Sequence, residues 1–159
     1  MADTLTMWRR LSRIPGGTWF FSRMVWRRAP YFRTIRPRIQ VVEPGHAEVF
    51  VPKRRAVENH IKTLHVIAAI NGLEVAMGVA AEATVPRDMR WIPKGMEVSY
   101  VAKATTDLIC TADTDAADWR QPGDVPVRVT ATRTDGTVAI EGTIHVYVSA
   151  RPAAKGQPE

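Results

Sequence analysis

Residues Asn59 to Glu82, N-H-I-K-T-L-H-V-I-A-A-I-N-G-L-E-V-A-M-G-V-A-A-E, decide how the rest of the chain must be arranged. From Val66 onward this is the longest apolar segment in the sequence. Val66, Ile70, Leu73, Met77 and Ala80 recur at helical spacing, which predicts a helix with one stripe in a core. Most other positions are Ala, Val, Ile or Gly, so the opposite side is no solvent face either. A helix that is apolar almost all round has to be wrapped by other elements. The segment reads as too short to span a membrane, and Asn71 and Glu74 interrupt it. Glu74 is the anomaly, because a buried ionised carboxylate is costly unless it is paired, hydrated or protonated. Asn71, Glu74 and Gly78, with Ile67, form one small and polar line along the helix, as a pocket wall requires.

The flanks supply the wrapper. Upstream, Arg38–Val42 and Ala47–Val51 alternate around Glu43-Pro44-Gly45-His46 and read as a β-hairpin. Downstream, strands are expected at Glu82–Val85, Met96–Ala104, Leu108–Ala112, Val125–Arg133 and Val138–Ser149. A turn is expected at Trp91–Gly95, and Thr134-Asp135-Gly136 is a hairpin signal. Strands gathered around one helix argue for an α+β fold, a curved antiparallel sheet wrapped around the central helix.

Residues 1–36 differ in character. Nine arginines and one acid fall in residues 1–40, a balance of +8, whereas residues 41–159 carry thirteen Lys/Arg and fifteen Asp/Glu, a balance of −2. The basic character therefore belongs to an N-terminal amphipathic helical segment, 1–36, ahead of a domain over 37–150 and a disordered tail over 151–159. A helix over residues 1–14 is broken by Pro15-Gly16-Gly17, and Thr18 can cap a second one from Trp19 to Arg28. Arginines interleaved with tryptophans either pack as an ordinary amphipathic face or meet an anionic surface, a lipid headgroup layer or the phosphates of a ligand. Nucleic acid is disfavoured, since no recognition motif accompanies them. The single Cys110 excludes a disulfide framework and fits a reducing, cytoplasmic compartment. His60 and His65 lack an acidic partner at ligand spacing, so no metal site is expected.

The N-H-I-K-T-L-H segment opening the helix, with Glu74 inside it and P-Y-F-R-T-I at Pro30–Ile35, resembles the hotdog-fold thioesterase superfamily over roughly residues 18–149. It is most similar to the phenylacetate-pathway type and to a related branch known as a domain of unknown function. The resemblance implies acyl-CoA thioester hydrolysis at the interface of a homodimer or dimer of dimers, with no cofactor beyond the coenzyme A of the substrate. It implies Glu74 as general base or nucleophile and Asn59 and His65 beside the thioester carbonyl. Helix N-terminal N–H groups would stabilise the oxyanion. Thr63, Val66 and Asn71 would then line the substrate site, and Lys62, Arg54 and Arg55 would meet the phosphates. Lys62 and Val66 stand where related enzymes often carry Gly. These departures support a second reading, a non-catalytic hotdog module that binds acyl-CoA or another acyl ligand. Either form could contact a membrane surface through residues 1–36. On the residues alone, Glu74 can instead be structural, Asn59 a turn residue, and Thr63 the helix cap.

Overall fold

A computed structural model describes residues 4–152. Of the expected tail over 151–159, residues 153–159 lie outside the described residues, as do the first three residues, whereas Arg151 is tied down, donating its N–H to Asp88 O and its Nε to Met89 O. Helices α1 (Thr4–Leu11) and α2 (Gly17–Arg28) lead through a short 3-10 turn (Pro30–Thr34) into β1 (Arg38–Glu43) and β2 (His46–Val51). The long helix α3 (Val66–Thr84) follows, then β3 (Met89–Tyr100), β4 (Leu108–Asp113), β5 (Gly123–Arg133) and β6 (Val138–Ala150). All strand pairs are antiparallel, in the order β1-β2-β4-β5-β6-β3. The six-stranded sheet curves around α3, as the apolar circumference of that helix demands.

Alternation along the strands sets which side chains meet the helix. Ala47, Val49 and Val51 of β2 lie opposite Ala112, Cys110 and Leu108 of β4, and all six are buried. In β1 both Ile39 and Val42 point inward, at a spacing that regular pleating forbids; a bulge between Ile39 and Val41 supplies the extra residue. Against this surface α3 buries Leu73, Val75 and Met77 almost completely, each contributing roughly 1.5–3 kcal/mol. By length and composition α3 could cross a membrane, contrary to the expectation from its length, but over half of its most apolar window is buried inside the domain. The helix packs closely on the sheet at Gly72, where a Cβ would sit 2.6 Å from Val51 Cγ2 and 2.8 Å from Cys110 Sγ. Burial among apolar groups pushes the Cys110 thiol up to about 12, so it stays protonated and inert.

Several boundaries differ from the sequence reading. Glu82–Val85 is the end of α3 and its cap, where Thr84 Oγ1 donates to Ala80 O and accepts from the Gly45 N–H of the hairpin tip. The run Trp91–Gly95 belongs to β3, with a bulge between Pro93 and Gly95 where a turn was expected. Helix α2 starts at Gly17, two residues earlier than Trp19, with Gly16, not Thr18, in the cap position; no side chain caps it. Trp119, inside a polar stretch, is fully buried and donates through Nε1 to Thr114 Oγ1.

The N-terminal helices share the core of the sheet. Phe21 is fully buried with its ring centroid 5.1 Å from that of Trp8. Buried Ser22 Oγ accepts the Ile39 N–H and donates to Thr18 O, tying α2 to β1. Trp26 Nε1 donates to Pro37 O.

At the hairpin, His46 Nδ1 lies 2.8 Å from Asp113 Oδ1, and Nε2 lies 3.6 Å from Glu48. Desolvation alone would lower the imidazole pKa, but the hydrogen bond to Asp113 and the two carboxylate charges outweigh it and raise it above 6.5. Its stabilisation is full below the unfolded value and fades as pH rises through the higher folded value. The stability difference between wild type and His46→Gln in urea titrations is therefore expected to shrink as pH increases above 6.5. A difference that grows over that range would contradict this. Separately, Gly72→Ala should lower the unfolding free energy by about 1–3 kcal/mol through overpacking against Val51 and Cys110; an unchanged urea midpoint would show that the sheet can yield there.

Candidate functional site

The site begins in the turn that feeds α3. Asn59 Oδ1 accepts the N–H groups of Ile61 and Thr63, and its Nδ2 donates to Thr63 Oγ1. Its backbone N–H donates to Thr63 O, while Lys62 N–H donates to Asn59 O. Asn59 thus spends both ends of its amide on organising the turn. Thr63 is its partner and not the helix cap. That place is taken by His65, whose Nδ1 accepts the Ile67 N–H at 3.1 Å. With Nδ1 accepting, any proton on the neutral ring is on Nε2. The His65 carbonyl accepts from Ala68 and Ala69. The Val66 N–H has no acceptor among the described residues, so one donor at the positive end of a 19-residue helix remains open.

Two cavities flank this helix start. One, of about 110 Å³, is lined by Asn59, Thr63 and Val66 with Tyr100, Lys103 and Ile140. The other, of about 360 Å³, is lined by His65, Ile67 and Asn71 of α3 with Glu58 and with Tyr31 and Thr34 of the 3-10 turn. Asn71 is only 5% exposed, and its Oδ1 is buried without a donor. A buried amide oxygen without a partner is a place where a ligand N–H, a water or another chain can be received.

Glu74 lies further along. It is half-buried, and among the described residues its carboxylate has no hydrogen bond and no ion pair; it makes no bond to Asn59. It shares the least covered line of α3 with Ile67, which is 53% exposed, and with Ile70 and Gly78. From Val66 to Glu74 is eight residues, roughly 12 Å along the axis, so this carboxylate does not reach a carbonyl held at its own helix start. An apolar groove of about 290 Å³ opens one turn beyond it, between α2 and α3, with Phe21, Val75, Gly78, Val79 and Trp91 in its wall.

The remaining sequence candidates disperse. Arg55 and Lys62 are exposed and line neither cavity at the helix start. Lys53, their neighbour, is neutralised by Glu58 at 2.7 Å. Arg54 turns the other way, into a separate basin walled by arginines of residues 1–38. The sequence showed those arginines as a charge excess, but not that they converge. Among the described residues, no three His, Cys, Asp or Glu side chains gather as a metal site.

Against known proteins, the family DUF4442, a domain of unknown function, matches residues 17–148. None of the curated proteins matches. The structural-genomics target APC5556 has a solved structure that is 40% identical, with a TM-score of 0.82, covering 94% of this chain and all of that one. A Pseudomonas aeruginosa protein of unknown function, described as a probable thioesterase, is 19% identical with a TM-score of 0.75, covering 87% and 97%. A thioesterase family protein from Silicibacter pomeroyi is 22% identical with a TM-score of 0.67, covering 82% and 96%. The curved sheet around one long helix is the hotdog fold, as expected from the sequence.

Lys62, one of the two departures from the glycines common in similar enzymes, sits at φ 61°, in the left-handed region. There a side chain costs about 1–2 kcal/mol that glycine does not incur. Lys62→Gly is accordingly expected to raise stability, by up to about 1 kcal/mol once the freer unfolded chain is counted. A lower thermal midpoint would mean that the Lys62 side chain stabilises the turn.

Proposed function

The chain belongs to the DUF4442 family, and from that premise we propose that it is an acyl-CoA thioesterase-like hydrolase working as a homodimer. The observation that carries this reading is Glu74: a half-buried carboxylate without a partner, on the open line of a helix whose start offers the Val66 N–H. The thioester carbonyl oxygen sits at that N–H, where the helix dipole favours developing negative charge. Asn59 holds the turn that presents the donor. His65 positions the helix start, and Asn71 meets the ligand or the attacking water with its free oxygen. Glu74 activates the water as general base, or attacks the carbonyl carbon itself.

The distance along α3 makes the second subunit necessary to this reading. The Glu74 that acts at one helix start belongs to the other chain. The surface that would meet a second chain is at hand. Among the described residues strand β3 pairs only with β6, and Met96 and Tyr100 on it, Val101 just after it and Ile67 of α3 are exposed. The acyl chain then runs toward the apolar groove by Gly78.

A second reading is a binding module without turnover. It is favoured by Val66, a branched side chain lining the small cavity at the helix start, and by the His65 ring, which takes up the Ile67 N–H. Exposed Ile14, Trp19, Phe20 and Tyr31 among the arginines suit contact of either form with an anionic membrane surface. A reducing cytoplasm suits both, since the one cysteine is buried and free.

Hydrolysis of a panel of acyl-CoA chain lengths, followed by thiol release, separates the two readings. The hydrolase reading expects turnover in wild type and a loss of roughly a hundredfold or more in kcat for Glu74→Ala. It also expects partial recovery when Glu74→Ala and Asn59→Ala chains are mixed, because one interface per heterodimer regains both groups. Saturable acyl-CoA binding with no thiol release in wild type would establish the binding module instead.

A further inference from the structure

A cavity larger than those at the helix start lies away from it. It encloses about 750 Å³, and six arginines line it: Arg23, Arg27, Arg33, Arg36, Arg38 and Arg54. No acidic side chain lines it, and none of the six has a carboxylate partner among the described ion pairs. These residues come from five separate places: α2, the 3-10 turn, the link at Arg36, the start of β1 and the connection after β2. An ordinary solvated basic face follows one helix; here the fold brings distant arginines to one concavity.

The basin has features that solvation alone does not explain. Arg54 Nη2 donates to the Thr34 carbonyl, but its Nε is buried without an acceptor. A buried guanidinium donor left open is costly, and it is relieved by an acceptor brought from outside. Burial, and then the charge of Arg36, lower the Arg54 pKa, as expected for a cation held where a counter-anion is missing. Arg36 itself stands at φ 50°, a strained conformation for a non-glycine residue. Arg23 stacks on Trp19 at 4.8 Å and Arg38 on Phe50 at 5.6 Å, which orients two guanidinium planes without removing their charge. Trp26 also borders the basin, with its Nε1 anchored on Pro37 O, so its ring is held in place as a wall.

We propose that this basin is a binding site for a small molecule carrying two or more phosphate groups, of the size of a nucleoside diphosphate. Guanidinium groups bind phosphate oxygens through paired N–H donors, and six of them exceed what one phosphate can use. The volume falls within the range of about 300–1,000 Å³ typical of small-molecule sites. The indole faces offer a surface for a planar base. The site stands whether or not Glu74 turns over a thioester.

The test is isothermal titration of the full chain at low salt with inorganic phosphate, pyrophosphate and ADP. Saturable one-to-one binding of pyrophosphate and ADP is expected, at least tenfold tighter than inorganic phosphate, weakening as salt is raised. Arg27 and Arg33 are exposed, so reversing them is compatible with folding. The pair R27E/R33E should lose at least tenfold in affinity, and R27K/R33K should retain more of it. Thermal unfolding would verify that both pairs fold. Glu74→Ala should bind ADP as wild type does, which keeps this outcome separate from that of hydrolysis. No saturable binding of either diphosphate, or equal affinity in R27E/R33E, would overturn the proposal. Co-sedimentation with phosphatidylcholine vesicles containing phosphatidylglycerol distinguishes the lipid source. Vesicle binding undiminished by saturating pyrophosphate would overturn it in favour of a headgroup surface.

Discussion

Everything in this fold follows from one constraint: α3 has no face that tolerates water along its whole length. Ten of its nineteen residues are buried, and the sheet can cover it only by curving. The curvature needs small residues where backbone and sheet approach, and Gly72 between Val51 and Cys110 is that place. It also needs the end of the helix fixed, which Thr84 does by accepting from Gly45 in the hairpin tip. What the sheet leaves uncovered is a narrow line through Ile67, Ile70, Glu74 and Gly78. The same constraint that builds the core therefore dictates where an opening can be.

The period-2 and period-3.6 patterns made the sheet and helix legible in the sequence, because both patterns are consequences of burial on one side. Leu108–Ala112, Val125–Arg133 and Val138–Ser149 are found nearly as read. The strand after α3 was harder. The alternation read over Met96–Ala104 finds part of a strand that in fact runs Met89–Tyr100 and is mostly exposed, and Pro93 with Gly95 looked like a turn while forming a bulge in an edge strand. Helix ends were harder still. A side-chain oxygen seemed the natural cap, yet an imidazole nitrogen does that work at α3, and nothing in spacing distinguishes Thr63 from His65 in this respect.

The candidate site was partly legible. Glu74 stood out because a carboxylate in an apolar helix is expensive, and the structure leaves it half-buried and unpaired. Asn71 stood out on the same line, though only coordinates show its oxygen without a donor. The arginines were visible as a charge excess in residues 1–40. Their meeting point was not, since it depends on how α2 lies against β1 and on the corner at Arg36.

The 3-10 turn Pro30–Thr34 is a shared partition. Pro30 and Arg33 face the arginine basin, while Tyr31 and Thr34 face the cavity that holds His65 and Asn71. The Thr34 carbonyl, moreover, is the acceptor that holds Arg54. Ligands held in both cavities would thus rest on the same five residues, and thermodynamic linkage would make any influence of one on the affinity of the other reciprocal.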